Sequence, residues 1–337
     1  MRRLLTPGGL AALTVTAAIV AVVALYLVPS NDFLLLPDVA HPVAPLVSVQ
    51  GGHEPTGPGG IYFVDVFEQR ASELDKLFPW LHSEATLVPA AEIVPPGVSD
   101  EAARQADLQE MSTSQQIAAA VALRRLGYHV VARPNGVLVS ELLTGTGAIR
   151  TLEPDDVIVS VDGASTLTVA KLRARLASAT IGQVVELGVR RGSRLVSLHV
   201  KTVADPQDPK RAIVGFVPDQ STSIKLPIHV SIDTGNIGGP SAGLAFALEV
   251  MEELGRNVDR GYRVAATGEM FLDGQVGEIG GVEQKTYGAR KAHADLFLVP
   301  AGENATEARR YAGGLRIVAV KSFPQALHFL ATLPPKH

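Results

Sequence analysis

Cysteine is absent from the 337 residues. Disulfides, thiolate nucleophiles and cysteine-based zinc sites are therefore excluded. The dipeptide Gly-Lys of a Walker phosphate-binding loop is also absent, so we expect no ATP to be used by this chain. Nine histidines are scattered without metal-ligand spacing, and we expect neither a metal nor a cofactor. A net charge of −4 offers no basic surface for nucleic acid.

The composition that is present is that of packed domains joined by many turns. Hydrophobic residues make up 46% of the chain, with 32 glycines and 22 prolines. A chain of this length exceeds one ordinary domain. We therefore expect two or three folded units.

The first 31 residues predict a membrane anchor. Two arginines at positions 2 and 3 precede an almost wholly apolar run from Leu10 to Val28. Nineteen helical residues span about 28 Å, close to the thickness of a hydrocarbon core. We expect residues 9–29 to cross the cell membrane, with the N-terminus cytoplasmic and the remainder extracytoplasmic. The alternative is a cleaved signal peptide, but the run is longer than usual and ends without small residues.

Residues 32–127 predict an extracytoplasmic segment of strands followed by a long helix. Strands are expected near 45–50 and 61–67, and a short helix and loop over 74–81. Ser99 is a candidate N-cap for a helix that runs to Leu126. We expect a break near Ser112–Ser114, and Gly127 ends the helix.

Residues 128–204 contain short β-branched runs, turns and one helix. This pattern resembles a bacterial PDZ domain. The resemblance places the carboxylate-binding loop and its peptide-pairing strand at Gly136, Val137, Leu138 and Val139. PDZ domains bind an extended peptide by adding it to a sheet edge. The alternative is a small β domain that serves only as a spacer.

Residues 210–333 alternate strands with helices, which indicates an α/β domain of catalytic size. Apolar and polar residues alternate over 224–232. This periodicity predicts one half-buried strand, with Pro227 suggesting an edge position. Ser241 follows a Gly-Gly-Pro turn and begins a helix whose polar residues return at Glu249, Glu252 and Glu253. We expect an amphipathic end to that helix.

Ser241 has two interpretations. A hydroxyl at the buried, positive end of a helix is well placed for nucleophilic chemistry, because free N–H groups there can receive an oxyanion. The alternative is an N-cap serine with a purely structural role, and this stretch taken alone favours it.

Lys285 is the one charged residue on the small, apolar face of the helix that follows Gly281. Its side chain could extend along the surface to solvent. Burial would instead lower its pKa toward the range of a general base. A neutral amine there could take the proton from the Ser241 hydroxyl, which defines a Ser-Lys dyad.

The motifs together resemble the proteolytic domain of the Lon family. They are Gly-Pro-Ser-Ala-Gly at 239–243, Thr-Gly-Glu at 267–269 and Ile-Gly-Gly-Val-Glu-Gln-Lys at 279–285. The resemblance implies that Ser241 is the nucleophile, Lys285 its partner and Thr267 a supporting residue, with an oxyanion hole near Gly239 and Pro240. Lon has an acidic residue where this chain has Gly238.

The order of anchor, PDZ-like region and Lon-type region resembles the bacterial membrane-anchored Lon-like proteases. The resemblance implies an ATP-independent serine endopeptidase that acts on unfolded or damaged extracytoplasmic proteins. It also implies a homo-oligomer, possibly a hexamer. The alternative function is a membrane-tethered PDZ scaffold whose Lon-like domain is inactive.

Overall fold

The computed structural model of the protein describes residues 7–82, 84–94, 100–143, 145–205 and 208–336. These residues form two compact units. One unit is Gly127–Pro227, and the other is built from the chain on either side of it. The second unit is therefore discontinuous in sequence.

The N-terminal helix α1 (Pro7–Leu27) contains an 18-residue stretch, Leu10–Leu27, that is long and apolar enough to cross a membrane. None of that stretch is buried within the protein. Short helices and strands follow it. They are β1 (Pro29–Pro37), β2 (His41–Pro42), β3 (Val47–Val49), β4 (Gly60–Phe63), β5 (Val66–Ser72), α2 (Glu73–Leu77), β6 (Thr86–Pro89) and α3 (Ala90–Ile93).

The long helix α4 (Asp100–Arg125) has no break, so the prediction of one near Ser112–Ser114 is wrong. The hydroxyls there are satisfied without opening the helix. Thr113 donates to the carbonyl of Gln109 one turn earlier, and Ser114 donates to the carbonyl of Pro240. The predicted cap, Ser99, lies outside the described residues.

The middle unit is a β sheet with one helix. Its elements are β7 (Val131–Leu142), β8 (Val157–Val161), β9 (Ala164–Ser165), α5 (Val169–Leu176), β10 (Val184–Arg191), β11 (Arg194–Lys201), β12 (Val203–Ala204), β13 (Ala212–Ile213) and β14 (Phe216–Lys225). The sheet order is β11-β10-β8-β7-β14. Val137, Ile158 and Leu187, none of them exposed, lie in its core. Thr168 caps α5 by accepting a hydrogen bond from the backbone N–H of Lys171.

Gly136–Val139, the predicted peptide-pairing residues, do not lie at a free sheet edge in this structure. These residues lie in β7, which is an interior strand between β8 and β14. Val137 and Leu138 pair with β8 on one side and with β14 on the other. An added peptide strand needs a free edge, and in this sheet the end strand beside β7 is β14.

The C-terminal part of the chain supplies the remaining elements. They are β15 (Val230–Ile232), α6 (Gly243–Glu253), β16 (Arg263–Ala266), β17 (Glu269–Met270), β18 (Val276–Gly277), α7 (Val282–Lys291), β19 (Leu296–Pro300), α8 (Glu303–Tyr311), β20 (Arg316–Val320) and α9 (Phe323–Ala331).

The discontinuous unit is organised around a sheet of order β2-β4-β16-β19-β20. Strands β4, β16, β19 and β20 are parallel, and β2 is antiparallel to β4. Helix α6 is buried along its whole length, with Leu244, Phe246 and Leu248 fully enclosed in the core. Strands from before residue 64 thus complete the sheet of the C-terminal region.

Two predictions about this region need correction. The strand expected over 224–232 is interrupted between Lys225 and Val230, where Pro227 has no N–H to donate, and its halves belong to different units. The end of α6 is not amphipathic in the expected sense. Glu249, Glu252 and Glu253 are all buried. Glu252 accepts hydrogen bonds from the N–H groups of Val258 and Asp259 in the loop that follows the helix.

Candidate active site

Ser241 is held by a turn that packs against α4. Gly239 adopts a φ of +82°, which favours glycine, and its N–H donates to the carbonyl of Asp107 at 2.8 Å. The Pro240 carbonyl accepts from Ser114 Oγ at 2.9 Å. Helix α4 therefore fixes the turn that presents the serine.

Gly238 is required because Asp107 lies against it. A Cβ added at Gly238 would be 2.6 Å from the Cβ of Asp107, which is too close for any side chain. Helix α4 thus places Asp107 against the turn that precedes Ser241. No local pattern predicted this contact, since the two residues are far apart along the chain.

The backbone of Ser241 is also tied to the strand that ends at Ala266. Its carbonyl accepts from the N–H of Gly268 at 2.7 Å and from Thr267 Oγ1 at 3.1 Å. Thr267 is buried. The threonine therefore supports the serine through its backbone carbonyl.

Lys285 lies one turn into α7, which begins after Gly281 in the left-handed conformation. Its side chain is buried, with 5% of the residue exposed. The Nζ atom lies 2.8 Å from Ser241 Oγ, within hydrogen-bond distance. The two predicted site residues are brought together, and the lysine does not extend to solvent.

Burial lowers the pKa of Lys285 to about 8, while the carboxylates of Asp65 and Glu68 oppose the shift. Desolvation disfavours the ammonium form, whereas nearby anions favour it. A substantial fraction of the side chain is therefore neutral near pH 8, and a neutral amine can accept a proton from the hydroxyl beside it.

Gly239 and Pro240 do not supply the oxyanion donors that the resemblance implied. The N–H of Gly239 is engaged by Asp107, and proline has no N–H. No described residue accepts a hydrogen bond from the N–H of Ser241 or of Ala242. These two groups lie at the start of α6, where helix N–H groups have no intrahelical partner.

A cluster near the lysine was not predicted from the sequence. Asp38, His41 and Asp65 bring ligand-type atoms within 4.8 Å of one another, an arrangement that could hold a cation. His41 Nε2 lies 3.3 Å from Asp38 Oδ2 and 4.0 Å from Asp65 Oδ1. Burial raises the pKa of Asp65, and the carboxylate of Asp38 adds to that rise. The three residues have no regular spacing that a motif search could detect.

Comparison with known families identifies both folded regions. Residues 210–328 match the Lon protease (S16) C-terminal proteolytic domain, and residues 124–202 match the PDZ domain. The chain therefore carries a PDZ domain followed by a Lon-type proteolytic domain in a mixed α/β fold. The resemblance to the Lon family is confirmed, and this homology supports a serine peptidase.

Curated relatives match the proteolytic region. Lon protease 2 of Bacillus subtilis (strain 168) is 35% identical over 109 residues, which is 32% of this chain and 19% of that protein. The Lon protease of Malacoplasma penetrans (strain HF-2) is 37% identical over 93 residues, 27% of this chain and 12% of that protein. The chain thus spans less than a fifth of the length of these relatives.

Solved structures of PDZ domains are similar to about a quarter of the chain. The PDZ domain of an SdrC-like protein from Listeria monocytogenes is 20% identical, with a TM-score of 0.24, over 25% of this chain and 87% of that one. A PDZ domain of the SdrC-like protein from Listeria innocua is 21% identical, with a TM-score of 0.23, over 25% of this chain and 92% of that one.

Proposed function

We propose that this protein is a serine endopeptidase whose catalytic pair is Ser241 and Lys285. The observation that carries the proposal is the 2.8 Å separation of Ser241 Oγ and Lys285 Nζ. The lysine is buried, and its pKa is lowered to about 8. A serine needs an adjacent base to become a nucleophile, and this amine is the base within reach.

In the proposed reaction, neutral Lys285 takes the proton from Ser241 Oγ as the oxygen attacks the peptide carbonyl. The N–H groups of Ser241 and Ala242 would donate to the resulting oxyanion. The Lys285 ammonium then gives its proton to the departing amine, and the peptide C–N bond breaks to leave an acyl-enzyme. Water, deprotonated by the same lysine, hydrolyses the ester and restores the Ser241 hydroxyl.

We propose that cleavage draws on no ATPase within this chain, because the sequence has no Walker loop. Substrates would then need to be unfolded or damaged proteins, since no module of this chain unfolds them. Helix α1 would anchor the protein in the cell membrane, and the two arginines before it favour a cytoplasmic N-terminus. The proteolytic domain would lie outside the cytoplasm, and the Lon-type domain would assemble as a homo-oligomer.

The PDZ domain would bind extended peptide segments along β14 and not along β7. Strand β14 is at the end of its sheet, and it lies beside α5. The side chain of Gln220 in β14 accepts from the N–H of Val169 and donates to the carbonyl of Leu167. Hydrogen exchange with a saturating peptide should slow the amides of β14 and leave those of β7 unchanged; protection confined to β7 would contradict this assignment.

The test of the catalytic proposal combines cleavage with covalent labelling. The full-length protein in detergent should cleave casein and react with a fluorophosphonate probe at Ser241. Ser241→Ala should abolish both, with an unchanged thermal transition. Ser48→Ala, at an exposed position of β3, retains the nucleophile and serves as the matched serine control. Cleavage by Ser241→Ala at the wild-type rate would contradict the catalytic pair. Absence of both cleavage and labelling in the wild type would leave the tethered scaffold as the better description.

A further inference from the structure

An apolar loop follows α2 and is open to solvent. Leu77, Phe78, Trp80 and Leu81, here called the Trp80 loop, are between 36% and 69% exposed. Phe78 and Trp80 contact each other edge to face, with ring centroids 5.1 Å apart. Scattered exposed apolar residues are ordinary, but a contiguous group of four within five positions indicates a contact surface.

The Trp80 loop is fixed in place by one aspartate. Asp75 accepts from the backbone and the hydroxyl of Ser72, and the Ser72 hydroxyl in turn accepts from the N–H of Asp75, which forms a capping box for α2. Its other carboxylate oxygen lies 3.0 Å from His82 Nε2, just beyond the loop. The aromatic residues are thus presented on a closed and capped segment.

The Trp80 loop lies beside the end of the anchor helix. The N–H of Glu73, the first residue of α2, donates to the carbonyl of Val28, the last residue of the apolar run. The start of α2 therefore lies next to the end of the anchor helix. Helix α2 packs against α1, and Leu25 is half-buried there although most of α1 is exposed. Five helical residues rise about 7.5 Å. The distance from the end of α1 to the Trp80 loop is therefore no greater than the thickness of the lipid headgroup layer.

The chemistry of the Trp80 loop suits a lipid–water interface. Tryptophan and phenylalanine combine large apolar area with, for tryptophan, one polar N–H, and tryptophan is enriched at both membrane surfaces. The one basic residue of α2, Lys76, is paired with an acidic residue, its Nζ atom lying 2.8 Å from Asp32 Oδ2.

We propose that the Trp80 loop inserts into the lipid–water interface beside α1 and sets the proteolytic unit against the membrane. This inference rests on the proposed anchoring of α1 in a bilayer. The lipid that surrounds α1 would then also cover the exposed aromatic residues of the Trp80 loop. The competing possibility is that a neighbouring copy of the chain covers them.

The chain contains a single tryptophan, Trp80, so its fluorescence reports on this loop alone. The full-length protein is reconstituted in phosphatidylcholine vesicles with bromine either high on the acyl chains or at the bilayer centre. We expect about a twofold loss of emission with the shallow bromine and a smaller loss with the deep one, as for an interfacial indole.

A relocated tryptophan separates this inference from the anchor itself. The variant Tyr26→Trp with Trp80→Phe places the only indole at the end of α1. Quenching of this variant with no quenching of Trp80 would overturn the inference and keep the anchor. Absence of quenching in both would remove the proposed anchor and the inference with it. Trp80 shielded from aqueous acrylamide yet untouched by bromine would identify a protein neighbour instead.

Discussion

Two buried ionisable groups of the proteolytic unit, Lys285 and Glu249, have almost the same pKa for opposite reasons. Burial lowers the pKa of Lys285 to about 8 and raises the pKa of Glu249 to about 8. The residues are 5% and 1% exposed. Both are therefore moved toward neutrality by loss of water.

The difference lies in what surrounds each group. Lys285 Nζ is 2.8 Å from a hydroxyl at a turn held by α4. Glu249 Oε1 has no hydrogen-bond partner among the described residues, and its carboxyl faces the like charges of Glu252, Glu253 and Asp259. A shifted pKa shows only that an ionisable group is buried. A nucleophile beside that group is needed before a catalytic role is inferred.

The largest effect is expected for Lys285→Met, which keeps the length of the side chain and removes the base. Peptide cleavage should fall by about 10³-fold or more, as expected when the general base is removed from catalytic groups that act together. The thermal transition should not fall, because a buried amine is replaced by an apolar group. Lys291→Met, on the exposed side of the same helix, should keep activity within about twofold.

The second prediction concerns pH. Because only the neutral amine is a base, kcat/KM for an uncharged peptide should rise about tenfold per pH unit below pH 8 and level off above it. Glu249→Gln should leave this profile unchanged. A rate that is flat between pH 6 and pH 9, or a Glu249→Gln profile with a moved midpoint, would contradict the separation of roles.

The proposed catalytic pair could be predicted because its motifs are local. Ser241 follows a glycine-proline turn, and Lys285 interrupts an apolar helical face, so each carries its own signal along the chain. The environment that tunes the lysine was not predictable. Asp65 lies between β4 and β5, and Glu68 lies in β5. Only the tertiary fold brings these two residues toward α7.

The same distinction explains the errors in the fold. Strand β4 pairs in parallel with β16, a contact between segments about 200 residues apart that no local pattern encodes. The pairing of β14 with β7 was not predicted, because β14 follows the region that was recognised as PDZ-like. Glu249 was expected on an exposed polar face of α6. The periodicity of a helix shows which residues share a face, but it does not show whether another part of the chain covers that face.

The third prediction is that the buried carboxyl of Glu249 lowers the stability of the fold when it is ionised. Its folded pKa is raised, so the folded protein keeps a proton that the unfolded chain loses above pH 4.5. The stability of the wild type should therefore decline as pH rises from 4.5 through about 8. Glu249→Gln should remove the part of that decline that Glu249 contributes and be more stable at pH 9 by about 4 to 5 kcal/mol, with little difference at pH 4.

The measurement is the thermal midpoint of the full-length protein in detergent at pH 4 and pH 9. Glu303→Gln, at an exposed position of α8, is the control and should move neither midpoint. Equal midpoints for Glu249→Gln and wild type at pH 9 would show that water reaches the buried carboxyl.

The smallest expected effect concerns Asp65, which favours the charged form of Lys285. Asp65→Asn removes an anion, so the pKa of Lys285 should fall further and the midpoint of the pH–rate profile should move down by about half a unit. At pH 7 the rate would then rise about two- to threefold.

The control variant Asp38→Asn should affect the pKa of Lys285 in the opposite direction, because the carboxylate of Asp38 raises the pKa of Asp65. Its loss should favour ionised Asp65 and give no downward shift. If both variants moved the midpoint down equally, general loss of negative charge would explain the effect, and Asp65 would have no particular role beside the lysine.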